Sequence, residues 1–587
     1  MIKQLAKCIK QYKLPSILAP IFVVCEVIME VIIPLVMARL IDYGIQANGQ
    51  KGDMAVIWQL GGALVLLAIL SLSFGFASGH FASKASSGFA ANLRESIYNN
   101  VQRYDFANID KFSTPSIITR LTNDVSRVEM AYQQIIRGAF RAPVMLIMAL
   151  VMAFSVNSKV ALVFVGIAPV LLIGLYLLMS RVHPVFKKLF KTYDVLNRVV
   201  QENLIGIRVV KSFVREDLEK KKFKDVSKDV ADLSIKAEKI MAFSSPLMQF
   251  AVYTCMLLLS WFGAKMIVAS GNNPAVGMTT GALSSMFTYT MQILMSLMML
   301  SMLFVMIVMS RASAERIAEL LAEEPALRNH ENPICEVKDG SVDFENVSFS
   351  YTGDNSNPCL IDINLHMKSG QTVGVLGGTG SSKSTLVQLI PRFYDATSGA
   401  IYVGGVNVKD YEVEHLRNKV AMVLQKNVLF SGTIKENLRW GNPNASDEQM
   451  KKVCEMAQAD GFISEFPEGY DTYIEQGGAN VSGGQKQRLC IARALLKEPK
   501  ILIMDDSTSA VDTKTDKLIR ENMKKAMPGV TKIIIAQRVS SVENADVIIV
   551  MDQGRINGIG THKELLENNQ IYKQVYESQT KGAQENA

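Results

Sequence analysis

The stretch Gly377-Gly378-Thr379-Gly380-Ser381-Ser382-Lys383-Ser384-Thr385 is well suited to hold phosphate. It follows the apolar run QTVGVLG and precedes TLVQLIPRFY, so it reads as strand, Gly-rich turn and helix. In that arrangement backbone N–H groups and a helix N-terminus cradle phosphate oxygens. Lys383 reaches the terminal phosphates and Ser384 ligates Mg²⁺. A second apolar run, Ile501-Leu502-Ile503-Met504, ends in Asp505. It reads as a buried strand that delivers a carboxylate to the same cation, through a water. Between them, Ser482-Gly483-Gly484-Gln485 opens the basic run KQRLCIARAL, a further helix N-terminus suited to an anion. Together these residues describe a site for ATP with Mg²⁺.

The elements that must position them occupy only the second half of a chain of 587 residues, enough for more than one domain. Strand-like alternation begins near 340 with SVDFENVSFSY. Before that, apolar stretches fall at about 14–38, 57–79, 138–156, 160–180, 242–268 and 282–308. Most reach or approach the ~20 residues that a spanning helix needs. The long connections between spans two and three and between spans four and five are rich in Lys and Arg, and the short ones near 45–56 and 269–281 carry almost none. That asymmetry places the long loops and both termini, and with them the ATP-binding half, on the cytoplasmic side; the expected location is the plasma (inner) membrane. The opening segment MIKQLAKCIKQYKLPS reads as an interfacial helix leading into the first span.

Composition agrees. Hydrophobic residues make up 49% and charged residues 20%, too apolar for a disordered chain and too charged for a membrane bundle alone. The net charge of +7 lies mainly between apolar segments, which argues against a nucleic-acid partner and for membrane lipids as surroundings. The seven cysteines show no CxxC or Cys/His ligand spacing, so the sequence supports neither a disulfide framework nor a zinc site.

The phosphate-binding turn, the Asp-terminated strand and the SGGQ run together resemble an ABC transporter, and the resemblance extends over the whole chain. Tyr351 in VSFSY resembles the aromatic that stacks on adenine. Gln425 in VLQKNVLFSGTIKENL resembles the Q-loop glutamine, which contacts Mg²⁺ and faces the membrane domain. Ser482 to Gln485 resemble the signature that contacts ATP bound to the partner, and Ser509-Ala510-Val511-Asp512 resembles the D-loop. FSTPSIITRLTNDV and ENLIGIRVVKSFVRE resemble the two cytoplasmic loops of ABC exporters that dock on the cassettes. The implied fold is an α-helical bundle of six spans with long cytoplasmic helical extensions, followed by an α/β P-loop ATPase domain. The expected domains are 1–310 for the membrane part, with coupling loops near 110–125 and 200–216, a linker at 311–340, the cassette at 341–580 and a polar tail at 581–587.

This sequence departs from the family pattern at three positions. Asp506 stands where a hydrolytic cassette carries Glu as general base, and the shorter side chain retracts the carboxylate. Gln537 stands where the switch His is expected, and Ser382 replaces the Gly before the Lys. A degraded base beside an intact signature resembles the degenerate-site subunit of heterodimeric bacterial multidrug exporters. The implied partner is a second half-transporter with Glu and His at the matching positions.

For substrate contacts the sixth span offers Met291, Met295, Met298, Met302, Met306 and Met309 on one narrow helix face. Methionine suits promiscuous apolar binding, as it also suits ordinary packing. Glu26 and Glu30, one turn apart in the first span, face either a wet cavity that attracts cations or a partner group. The expected function is ATP-driven outward transport of amphipathic small molecules. Alternatives are export of lipid or peptide, a homodimeric transporter with slow ATP turnover, or an ATP-gated regulator that binds but does not pump.

Overall fold

The computed structural model describes residues 1–45, 52–272, 277–353, 357–506 and 510–585. The chain divides into two units: Met1–Gln102 with Thr114–Glu323, and Arg103–Ser113 with Glu324–Ala587.

Among the described residues of the first unit, six helices are long and apolar enough to cross a membrane. The first spans Lys13–Arg39, and the third and fourth, Val125–Val156 and Ser158–Ile205, meet at Asn157. Asn157 stops one helix and starts the next, because its side-chain oxygen accepts from the N–H groups of Lys159 and Val160. The second helix, Met54–Gln102, has 49 residues. At 1.5 Å per residue it is about 74 Å long, more than twice the ~30 Å of a hydrocarbon core, as the long polar connections require. The sixth helix runs Thr280–Ala322, so residues 311–322, assigned above to the linker, continue that span. Met286, Tyr289, Ile293, Leu294 and Leu297 on it are buried in a core shared with Val23, Val27 and Val31. Their i, i+3, i+4, i+7 spacing makes one packed stripe.

The second unit is built on strands. Among the described residues, a parallel sheet takes the spatial order Val547–Asp552, Thr372–Gly377, Thr531–Ile535, Ile501–Asp505, Val420–Val423, with Arg555–Gly560 antiparallel at the first edge. Its strands are nearly continuous apolar runs because both faces are covered. An antiparallel sheet of Leu360–Met367, Val342–Phe349, Ser398–Val403 and Val406–Asn407 lies in the same unit. The helix after the phosphate turn is only Lys383–Gln388, shorter than the run TLVQLIPRFY suggests. Pro391 disfavours helical geometry in the residue before it, and the chain turns there. The last helix, Gln570–Glu585, extends into the segment read as a polar tail.

Candidate functional site

Parallel strands deliver whatever follows their C-terminal ends to one edge of the sheet. In spatial order, that edge presents the phosphate turn after Gly377, Gln537 after Ile535, Asp506 after Asp505, and Gln425 after Val423. Residues more than 150 positions apart in sequence thus become neighbours through strand order alone.

Lys383 Nζ donates to the carbonyls of Gly377 and Gly378 at 2.8 and 2.7 Å, and to Ser381 Oγ at 3.3 Å. Gly378, Thr379 and Gly380 are exposed, and Gly380 has φ of +82°, which only glycine adopts freely. Ser384 Oγ donates to Asp505 Oδ1 at 2.9 Å. A hydroxyl and a carboxylate so placed fit a hard cation such as Mg²⁺, which prefers oxygen ligands. Burial pushes the Lys383 ammonium below its ordinary value, and the carboxylates of Asp505 and Asp506 oppose that. Burial raises Asp505, the neighbouring Asp506 adds to it, and the Ser384 hydrogen bond and Lys383 pull it back. Both shifts reflect charged groups held partly out of water.

Ser382 has φ of +67° and ψ of +27°, in the left-handed region. That conformation favours glycine, and a side chain there costs about 1–2 kcal/mol. Asp506 is also left-handed, at φ of +47°. Its carboxylate accepts from Gln537 Nε2 at 3.2 Å and from the Gln425 side chain. Burial raises this carboxyl, while the Gln425 bond and the charges of Lys383 and Arg538 oppose the rise.

Tyr351 is 49% exposed. Its hydroxyl is 3.0 Å from Thr385 Oγ1, which sets the ring beside the phosphate turn. Tyr394 meets it edge-to-face at 5.2 Å and donates to Asp110 Oδ2 at 2.7 Å. Asp110 lies on the short helix Phe106–Phe112, whose Phe106 stacks on Phe393 at 4.2 Å. The residues that join this unit are therefore 103–113, while 114–125 of the predicted docking loop belong to the first unit. The second predicted loop carries the helix Ile207–Ser212, flanked by Ile205, Phe213 and Val214, all strongly exposed.

Ser482 caps the helix Gly483–Leu495. Its Oγ accepts from Gln485 N–H at 3.3 Å, and Gln485 Oε1 accepts from Ser482 N–H at 2.9 Å. Ser and Gln of SGGQ thus form a reciprocal capping box, with the hydroxyl proton still free to donate outward. Ser482 and Gly483 are exposed. Gly484 is required by packing: a Cβ there would stand 2.9 Å from Ala510 O. Gln487, which the sequence did not single out, is fully buried. It accepts from Ala510 N–H at 3.1 Å and donates to Asp506 O at 3.4 Å. It ties the signature helix to both the D-loop and the Asp506 turn. Asp512 caps the helix Thr513–Ala526 through the Thr515 N–H, which lowers its carboxyl; Ser509 lies outside the described residues.

In the first unit, Glu26 and Glu30 share one cation. Arg141 reaches Glu26 Oε1 at 2.6 Å with one nitrogen and Glu30 Oε1 at 2.7 Å with the other. A cavity of about 310 Å³ is lined by Glu26, Gln134, Arg137, Gly138, Arg141 and Met299. Arg137 has no ion-pair partner among the described residues. The two carboxylates are thus offset by two guanidinium groups, which removes the net negative charge expected to draw cations. Met291, Met295, Met302 and Met309 are exposed and Met298 and Met306 half-buried, on the side of the sixth helix away from its packed stripe. Met299, outside the methionine row, is the one that reaches the cavity.

Comparison with known proteins agrees with this geometry. The ABC transporter transmembrane region family matches residues 16–298, and the ABC transporter family matches residues 360–509. An uncharacterized ABC transporter ATP-binding protein of Bacillus subtilis, YfiB, is 34% identical over 571 residues, covering 97% of each chain. A Staphylococcus aureus chain whose name assigns it provisionally to multidrug export, as an ATP-binding/permease protein, is 32% identical over 99% of this chain and 100% of its own. Among solved structures, a bacterial Atm1-family ABC exporter with ATP bound superposes with a TM-score of 0.79 at 23% identity, covering 97% of this chain and 98% of that one.

Proposed function

This chain belongs to the ABC transporters that join a transmembrane region to a transport ATPase in one polypeptide, and from that premise we propose that it is the degenerate-site half of a heterodimeric exporter. Its own phosphate turn holds MgATP: Lys383 and Ser381 to Thr385 on the phosphates, Tyr351 on adenine, and Ser384, Gln425 and Asp505 on the cation. The partner supplies a cassette with Glu and His, and Ser482 to Gln485 of this chain complete the site that turns over. The cassette and both termini lie in the cytoplasm of the plasma membrane.

The observation that carries this reading is the setting of Asp506. A general base must reach the attacking water at hydrogen-bond distance. The Asp506 carboxylate is one methylene short, sits on a left-handed residue, and is engaged by two carboxamides, Gln425 and Gln537. The signature, by contrast, closes its capping box and exposes Ser482 and Gly483. The exposed apolar tip at Ile205, Phe213 and Val214 supports a second cassette as its cover. ATP binding pairs the cassettes and turns the membrane helices outward; hydrolysis at the partner-based site resets them. The cargo is amphipathic, in keeping with a cavity lined by Met299 beside charged side chains and with the provisional name of the S. aureus relative.

Purification of the chain alone and with a half-transporter carrying Glu and His tests this. Alone, it should bind MgATP in a Lys383-dependent way and hydrolyse it slowly; the pair should hydrolyse fast and accumulate amphipathic dye in inside-out vesicles. Fast hydrolysis by the chain alone, abolished by Lys383→Ala, would establish a homodimer instead.

A further inference from the structure

Cys335, Glu412 and His415 lie apart from the nucleotide site and take no part in it. They come from segments 77 positions apart. Ile334 N–H donates to Asp410 O at 2.8 Å and Glu412 N–H donates back to Ile334 O at 3.0 Å, fixing the end of the linker alongside residues 410–412. Glu412 is the residue before the helix Val413–Lys419, and His415 is on its first turn. Cys335 Sγ is 3.5 Å from Glu412 Oε2, and His415 Nδ1 is 2.5 Å from the same oxygen. One ligand atom from each residue lies within 4.8 Å of the other two.

We propose that these three residues form a binding site for a zinc-class divalent cation. Thiolate, imidazole and carboxylate are its preferred ligands, at about 2.3, 2.0–2.1 and 2.0–2.2 Å. In a tetrahedral shell such ligand atoms stand about 3.3–3.8 Å apart, so the sulfur–oxygen spacing fits already and the His–Glu contact opens by about 1 Å. Ligation through His415 Nδ1 leaves the proton of the neutral imidazole on Nε2, the Glu412 carboxylate binds as the anion, and the thiol proton of Cys335 is displaced to solvent. Three protein ligands leave a fourth position for water. Sulfur and nitrogen donors select against Mg²⁺ and Ca²⁺, so the site does not compete for the cation of ATP. Occupancy cross-links the linker to the cassette helix and holds the linker's last residues in place.

The test is a Co²⁺ titration of the full-length chain in detergent, read by absorption, followed by Zn²⁺ displacement. We expect saturation at one ion per chain with a thiolate-to-cobalt charge-transfer band, lost on adding Zn²⁺. Cys335→Ser should abolish the band while leaving MgATP binding and the elution profile unchanged. His415→Ala should weaken Co²⁺ by more than about 10-fold, the least that loss of even an outer partner costs. Zn²⁺ should also protect Cys335 from alkylation. No saturable binding, a band that persists in Cys335→Ser, or undiminished affinity in His415→Ala would each overturn the site.

Discussion

Two turns of the ATPase domain, at Ser482 and at Asp506, are built to different standards. At Ser482 the hydroxyl, the Gln485 carboxamide and two backbone N–H groups close a reciprocal box, and the hydroxyl proton stays available. At Asp506 the backbone is left-handed and the carboxylate is engaged by Gln425 and Gln537. The helix that Ser482 caps also carries buried Gln487, which bonds to Asp506 O, so the contrast does not come from a general loosening of the fold. On the proposed reading, the motif that would serve another chain's nucleotide has the regular geometry, and the position that would serve catalysis on the chain's own nucleotide does not.

The comparison can be broken most sharply at Gly483. Gly483→Asp puts negative charge where phosphate must approach, and turnover of the purified pair should fall by at least about 10²–10³-fold, the loss typical of one donor at such a site. Ser482→Ala comes next, with about 10²-fold lost turnover and about 1 kcal/mol of lost capping. Ser482→Asn separates the two roles: it restores the cap but not the hydroxyl, so thermal stability should recover while turnover stays low. Asp506→Ala should leave turnover of the pair within about threefold, far short of the ~10²–10⁴-fold that a working general base supplies. If Asp506→Ala proves more damaging than Gly483→Asp, this chain's own site is the working one. The smallest effect is expected from Ser382→Gly, which relieves a left-handed serine. It should raise stability by about 0.5–1 kcal/mol in a thermal scan and leave turnover unchanged.

Much of this was legible in the sequence because the cassette announces its site in contiguous words. Lys383, Asp505 and Ser482 each sit where a strand or helix ends, and local pattern locates such ends well. Six spans were legible for the same reason. Three things were not. The partner of Glu26 and Glu30 is Arg141, more than 100 positions away, and only packing of the first and third spans joins them. Gln487 lies inside an ordinary helical run, and its role comes from two turns that converge on it. Helix limits also shifted, since apolarity marks where a span sits in the bilayer but not where its helix ends; the sixth continues through polar residues to Ala322.

The shared arginine has one more consequence. Glu26, Glu30, Arg137 and Arg141 carry formal charges that sum to zero; Glu26, Arg137 and Arg141 line one cavity, and Glu30 pairs with Arg141. A membrane potential does work of about 2.3 kcal/mol per 100 mV on each net charge that crosses its field. A neutral cluster gives it nothing to grip. When these helices rearrange, a cluster that moves as one neutral body gives the field across the bilayer no net work to do through it. Turnover in vesicles should then hold constant as the potential is varied, and a voltage-dependent rate would place its moving charge in the cargo or in residues outside this cluster.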